Sequence, residues 1–274
     1  RLPDGGLPFD PVTRDWVPRL LGAHGQRSSR RRLVSARRGL GSSRCALGSS
    51  RCALGLWPAG PSATLAAKRL VYLSTTGVYG DRQGALVDET DAVDPHTDRA
   101  RRRVDAERQL RIAGRGARRP ARIGRQAPPT RLAAVVLRVP GIYAFDRLPL
   151  ERLRQGLPAL TRDDDVHTNH VHADDLARLA VVALLRGRSQ RVINVVDDSD
   201  LLMGDSLDQV AAWARLPPPP RVDRPTLLAQ VSAIRASFMS ESRRIGNARM
   251  KRELRARLAW SSVADFLAAH EAPG

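Results

Sequence analysis

The stretch Arg69-Leu-Val-Tyr-Leu-Ser74, continued by Thr75-Thr76-Gly77-Val78-Tyr79-Gly80, decides the fold. Its first six residues are mostly aliphatic or β-branched, as in a strand buried on both faces of a parallel sheet, and the Ser-Thr-Thr-Gly that ends the run predicts a loop at the strand's carboxyl end. Two later runs have the same character: Ala133-Ala-Val-Val-Leu-Arg138, stopped by Pro140-Gly141, and Arg191-Val-Ile-Asn-Val195. Helical patterns lie between them. Arg99 to Ile112 reads as a charged helix. Ala173 to Leu185 has apolar Leu176, Leu179, Ala180 and Val182 to Leu185, with Asp174 and Asp175 expected to cap its start. Strands alternating with helices predict an α/β protein: a Rossmann-like parallel sheet with helices on both faces.

Working outward, residues 1–67 are dense in Gly, Pro, Ser and Arg and include the tandem repeat Gly41-Ser-Ser-Arg-Cys-Ala-Leu / Gly48-Ser-Ser-Arg-Cys-Ala-Leu. They show no sustained period, so an irregular, poorly ordered segment is expected there. This is also the composition expected of an out-of-frame reading of GC-rich coding sequence, through a frameshift or a misassigned start, in place of the first strand-helix-strand unit. The Rossmann-like core is expected over 68–200, with its N-terminal part degenerate. Residues 201–274, with a helix around Gly204 to Ala214 and a break at Pro217 to Pro220, are expected to form a small, mostly helical C-terminal lobe.

The formal charge of +18 is concentrated in two places. Residues 1–70 carry 13 basic and 3 acidic side chains, and residues 101–126 carry 10 arginines against Asp105 and Glu107. All but two of the 46 basic residues are arginine, a bias that GC-rich coding produces unaided. With aromatics at 4% and not interleaved with these arginines, stacking platforms for bases are missing and a nucleic-acid partner is disfavoured. Cys45 and Cys52 fit neither a metal pair nor a disulfide framework. No run approaches the roughly 18 to 20 apolar residues that span a bilayer, and no apolar leader is evident; a cytoplasmic protein with no membrane partner is expected.

The order of four motifs resembles the extended short-chain dehydrogenase/reductase family (NAD-dependent epimerase/dehydratase-like). These are Ser74 to Gly80 with Val87-Asp88-Glu89-Thr90 after it, Leu137-Arg138-Val-Pro-Gly-Ile-Tyr143, Asn169-His-Val-His-Ala-Asp-Asp175, and Val192-Ile-Asn-Val195; Ser242 to Leu254 is similar to the family's C-terminal segment. The resemblance implies a Rossmann domain binding NAD or NADP and a small hydroxyl- or carbonyl-bearing substrate such as a nucleotide sugar. It makes Thr75 the candidate catalytic hydroxyl, and Ser74, Pro140, Gly141, Ile142 and Tyr143 the candidate cofactor contacts.

Two departures qualify it. No G-x-G-x-x-G turn joins a strand to a helix, so the usual pyrophosphate anchor is absent. Aligning the charged helix on Glu107 puts Arg99 and Arg103 where the family has its Tyr-x-x-x-Lys pair, and a guanidinium cannot serve as the proton-passing acid. The chain is most similar to the atypical branch that lacks this pair, which leaves an oxidoreductase-like enzyme and a non-catalytic binding or regulatory protein both open.

Remaining clusters carry two readings each. Thr75 is either a ligand contact or a strand-end hydroxyl satisfying backbone groups. His167, His170 and His172 with Asp163 to Asp165, Asp174 and Asp175 are either a metal cluster or a short strand with a helix start, and are read as the latter with no metal assigned. Arg99, Arg101, Arg102 and Arg103 either bind a phosphate or carboxylate or form a solvated helix face, and are read as the latter.

Overall fold

A computed structural model describes residues 68–116, 132–231 and 233–272. Residues 1–67, with the repeat, both cysteines and the first basic segment, lie outside the described residues, as do residues 117–126 of the second. The chain runs through β1 (Lys68–Thr75), a 3-10 turn at Thr76–Tyr79, β2 (Leu86–Val87), α1 (Asp98–Gly116), β3 (Leu132–Val139) and β4 (Gly141–Tyr143). Then come α2 (Leu150–Arg154), β5 (Ala159–Leu160), β6 (His167–Thr168), β7 (His170–His172), α3 (Ala173–Arg186), β8 (Arg191–Asn194) and β9 (Leu201–Leu202). The last part holds α4 (Met203–Trp213), β10 (Arg221–Val222), α5 (Arg224–Gln230), α6 (Ala233–Met239), β11 (Arg244–Ile245), α7 (Ala248–Glu253) and α8 (Val263–Ala268).

The three runs picked out from the sequence form one parallel sheet in the order β1-β3-β8. Alternation along β3 sorts its side chains. Val135, Leu137 and Val139 enter a core with Leu176, Leu179 and Ala183 of α3 and with Met250 and Leu254. Ala134 and Val136 pack on the other face with Leu110 of α1, beside Leu70 and Tyr72 of β1. Helices therefore cover both faces. Each fully buried leucine contributes about 2 kcal/mol of apolar burial.

At the carboxyl end of the α1 face the alternation reaches Ser74 and Arg138, which are register partners. Both are buried and polar. Glu107 of α1, 4% exposed, meets them: the Ser74 hydroxyl donates to its Oε1 at 2.5 Å, and Arg138 Nη2 donates to its Oε2 at 2.8 Å. The Arg138 guanidinium also lies over the Tyr79 ring, 4.7 Å from its centroid. Burial works against the Arg138 charge, yet the bond and charge of Glu107 hold its pKa above the ordinary value. Tyr79 donates to Asn194 Oδ1 at 2.8 Å, and the Asn194 backbone N–H donates to Glu89 at 2.8 Å. Gly80 (φ +68) closes this turn; a Cβ there would sit 2.2 Å from the Asp94 carbonyl oxygen.

The sequence places Asp174 and Asp175 as caps of α3, and the structure corrects this. They do occupy its first turn, but the cap is His172, whose Nδ1 accepts from the Asp174 backbone N–H at 3.2 Å. Asp175 is 1% exposed, and its carboxylate accepts from the backbone N–H groups of Ala259 and Trp260. A second core joins Leu207, Val210 and Ala211 of α4 to Val263, Phe266 and Leu267 of α8, together with Tyr143, Leu153 and Ala159 from before position 200. Between these elements, β11 returns to pair with β2, and Asn169 binds it: Nδ2 donates to Arg243 O and Oδ1 accepts from Ile245 N–H, both at 2.9 Å. Among the described residues no helix is long and apolar enough to cross a membrane.

Removing one member of a buried ion pair strands the other. Arg138→Met is therefore expected to cost about 3 to 5 kcal/mol in urea denaturation, and Glu107→Leu a similar amount. The double variant should cost well under the sum. Additive losses would show that the two charges are not coupled.

Candidate functional site

Parallel sheets present ligands at the carboxyl ends of their strands. Here the ends of β1 and β3 open into a cavity of about 700 Å³. Thr75 to Gly77 and Pro140-Gly141 form its sheet side, Arg99 and Arg102 come from α1, and Asn169, Met203, Phe238 and Arg243 close the far side.

Of the residues singled out in the sequence, Thr75, Pro140 and Gly141 come together on this wall. The Thr75 hydroxyl oxygen accepts from the Gly77 N–H at 3.2 Å, capping the 3-10 turn. Among the described residues its own O–H has no acceptor. Gly141 donates its N–H to Asn169 O at 3.2 Å, and a Cβ on it would lie 3.3 Å from that oxygen. The other three stand behind the wall. Ser74 is committed to Glu107, and Ile142 packs on the α3-side core. Tyr143 is buried edge-on to His172 and Phe266, with centroids 5.2 and 5.6 Å away. Burial, then the charge of Asp197, raises the pKa of its phenol.

The solvated-face reading of the arginine run holds for the exposed Arg99 and Arg101 and is corrected for the half-buried Arg102 and Arg103. Arg101 does face outward and pairs with Asp98 at 2.9 Å. Arg103 turns to the sheet, donating to the Tyr72 hydroxyl at 2.9 Å with its guanidinium over that ring. Arg99 and Arg102, one turn apart on the helix, line the cavity, and the Arg99 guanidinium sits 4.9 Å from the Phe238 ring centroid. Burial, then the charge of Arg103, lowers the Arg99 pKa, but the group remains a cation at any working pH. Of the other wall residues, Asn169 opens one of the family motifs without a role of its own, and no local pattern marks Met203 or Phe238. Arg243 lay inside the Ser242 to Leu254 block without a role.

Among the described residues, no group of three or more His, Cys, Asp or Glu side chains is arranged to hold a metal ion. His167 instead lies 3.0 Å from Asp200. A second, more polar cavity of about 440 Å³ touches Asp81, Gln83, Asp165 and Arg224, on the other side of His167.

A dinucleotide requires a run of backbone N–H groups at a glycine turn for its pyrophosphate. After β1 the described residues offer Gly77-Val-Tyr-Gly80, where Gly80 is used for close packing on Asp94 and Tyr79 is buried in the network with Asn194. They fit a ligand at the strand ends, and they do not form a pyrophosphate cradle.

No family model and no curated protein matches this chain. Solved structures do. A functionally unknown conserved protein from Silicibacter pomeroyi is 33% identical, with a TM-score of 0.61 over 74% of this chain and 65% of its own. UDP-glucuronic acid 4-epimerase from Bacillus cereus, in complex with NAD, is 15% identical with a TM-score of 0.54, over 73% of this chain and 58% of its own. DesIV, a dTDP-glucose 4,6-dehydratase from Streptomyces venezuelae with NAD and TYD bound, is 22% identical with a TM-score of 0.52, over 73% and 58%. The fold is thus the α/β, Rossmann-like fold of the NAD-dependent epimerases and dehydratases, as the extended short-chain dehydrogenase/reductase resemblance implies. The chain spans less than two thirds of the length of each of these structures.

Beneath the cavity, burial lowers the His170 pKa to about 4, and burial also raises that of Asp197 to about 6. On acidification below about 6.5 the unfolded chain protonates His170 while the folded protein resists, so this group's stability contribution is lost as the pH falls towards 4. Asp197 acts oppositely: the folded protein takes up a proton near pH 6 that the unfolded chain takes up only near its ordinary 3.8, so acidification restores stability. Asp197→Asn should therefore stabilise the protein at pH 7 by up to about 3 kcal/mol, an advantage that fades towards pH 4. Thermal melts of both proteins across that range check it. An advantage independent of pH would contradict the buried carboxyl.

Proposed function

We propose that this chain is an NAD(P)-binding, epimerase/dehydratase-like protein of the oxidoreductase superfamily. In this reading the strand-end cavity takes a small hydroxyl- or carbonyl-bearing metabolite such as a nucleotide sugar. The observation that carries the proposal is the convergence of Thr75, Pro140-Gly141 and the returning C-terminal segment around one cavity at the carboxyl ends of β1 and β3. Thr75 donates its O–H to a ligand oxygen while the Gly77 N–H holds the hydroxyl in place. NAD or NADP is proposed from the bound cofactors of the solved structures, and its phosphates need a cradle beyond the described residues. A cytoplasmic location belongs to the same proposal.

A second reading, a non-catalytic binding or regulatory protein, is favoured by Arg99. The guanidinium stands on the cavity wall where the resemblance places the catalytic Tyr, and it cannot pass a proton. Binding then survives while the reaction does not.

Titration of the whole chain with UDP-glucose, NADH and NADPH, followed by thermal shift and nicotinamide fluorescence, tests the proposal. Ligands preferring the folded protein must raise its melting temperature. Thr75→Val should weaken UDP-glucose binding by about three- to tenfold and cost about 1 kcal/mol of stability through the lost acceptor for Gly77. A rise in nicotinamide absorbance when UDP-glucose is incubated with NAD or NADP, the sugar hydroxyl giving up its hydride to the oxidised cofactor, would favour the enzyme, and saturable binding without it the binder. No response to any of the three ligands from a cooperatively folding sample would overturn the cavity reading.

A further inference from the structure

Four arginines follow one another closely at the start of α1, and the structure gives them different partners. Arg101 is neutralised by Asp98, and Arg103 is held by Tyr72. On the far wall, Arg243 is neutralised by Glu241 at 2.7 Å and also donates to Gly80 O. Arg99 and Arg102 have no carboxylate within ion-pairing distance among the described residues, and both line the cavity. Arg99 is exposed to the open side of the cavity and Arg102 is half-buried, and two neighbouring cations without a carboxylate partner repel each other until a ligand supplies the opposite charge. The lowered Arg99 pKa reflects the same surplus: burial, then the neighbouring charge of Arg103, with Glu241 compensating only in part.

We propose that Arg99 and Arg102 are a recognition pair for an anionic group, a carboxylate or a phosphate, on the metabolite that occupies the strand-end cavity. The inference rests on that cavity being the ligand site. Guanidinium groups suit planar, multidentate oxygen acceptors, and the Phe238 ring against Arg99 supports its guanidinium from one side. The substitution that removes acid/base chemistry from this helix position thereby confers a selectivity for charge. Neutral sugars and alcohols should bind worse than acids or phosphate esters of similar size.

Calorimetric titration of the full chain with inorganic pyrophosphate and with malonate, at constant ionic strength, tests this. The expected result is saturable binding of at least one anion. Arg99→Gln or Arg102→Gln should weaken it on the order of tenfold or more, Arg99→Lys should weaken it less, and Arg108→Gln, exposed farther along α1, should leave it unchanged. The tighter of the two probes tells a phosphate from a carboxylate. Arg99→Lys keeps the test open should a glutamine variant fail to melt cooperatively. Anion binding unaltered in Arg99→Gln and Arg102→Gln, with UDP-glucose still binding, would overturn the recognition pair and leave the cavity reading standing. Absence of binding by both anions and UDP-glucose to folded protein would overturn both.

Discussion

The Glu107 carboxylate is the interaction on which the described structure depends. It stands at the end of an apolar helix-sheet interface and holds Ser74 of β1 and Arg138 of β3 in one register. Through the Arg138 guanidinium over Tyr79, and Tyr79 to Asn194, the same network reaches the third strand. A buried charge is tolerated where an opposite charge and hydrogen bonds compensate it, here the Glu107 carboxylate with the Tyr79 ring, although Arg138 Nη1 has no partner among the described residues. That requirement fixes how α1 lies on the sheet, and so which of its side chains face the cavity.

This network explains why the fold was legible in the sequence and the site was less so. Ser74, Tyr79, Glu107, Arg138 and Asn194 each belong to, or align with, one of the motifs that carry the family resemblance, and each is occupied in holding strands and turn together. Their pattern therefore reports architecture. Strand runs such as Leu132–Val139 were evident because burial on both faces leaves no polar alternation. The cap of α3 falls on His172 because the helix starts at Ala173, which puts Asp174 and Asp175 inside its first turn, where Asp175 accepts from Ala259 and Trp260. For the cavity, the chain order of Thr75 and Pro140-Gly141 at strand ends was informative. Phe238 and Met203 reach the wall through long-range packing, which leaves no mark in their own neighbourhood.

Structure and chemistry separate at Arg99. The scaffold brings a strand-end hydroxyl, a Pro-Gly loop and a returning C-terminal segment together around one cavity. It replaces the titratable phenol expected on α1 with a permanent cation. On the proposed reading, a site of this composition orients and charge-selects its ligand more readily than it transfers a proton.

The measurement that tests the central claim most directly is a crystal structure of the protein grown with UDP-glucose. The account predicts ligand density at the carboxyl ends of β1 and β3, within hydrogen-bonding reach of the Thr75 hydroxyl and beside Arg99 and Phe238. Density confined to the polar cavity at Asp81, Gln83 and Arg224 would contradict it.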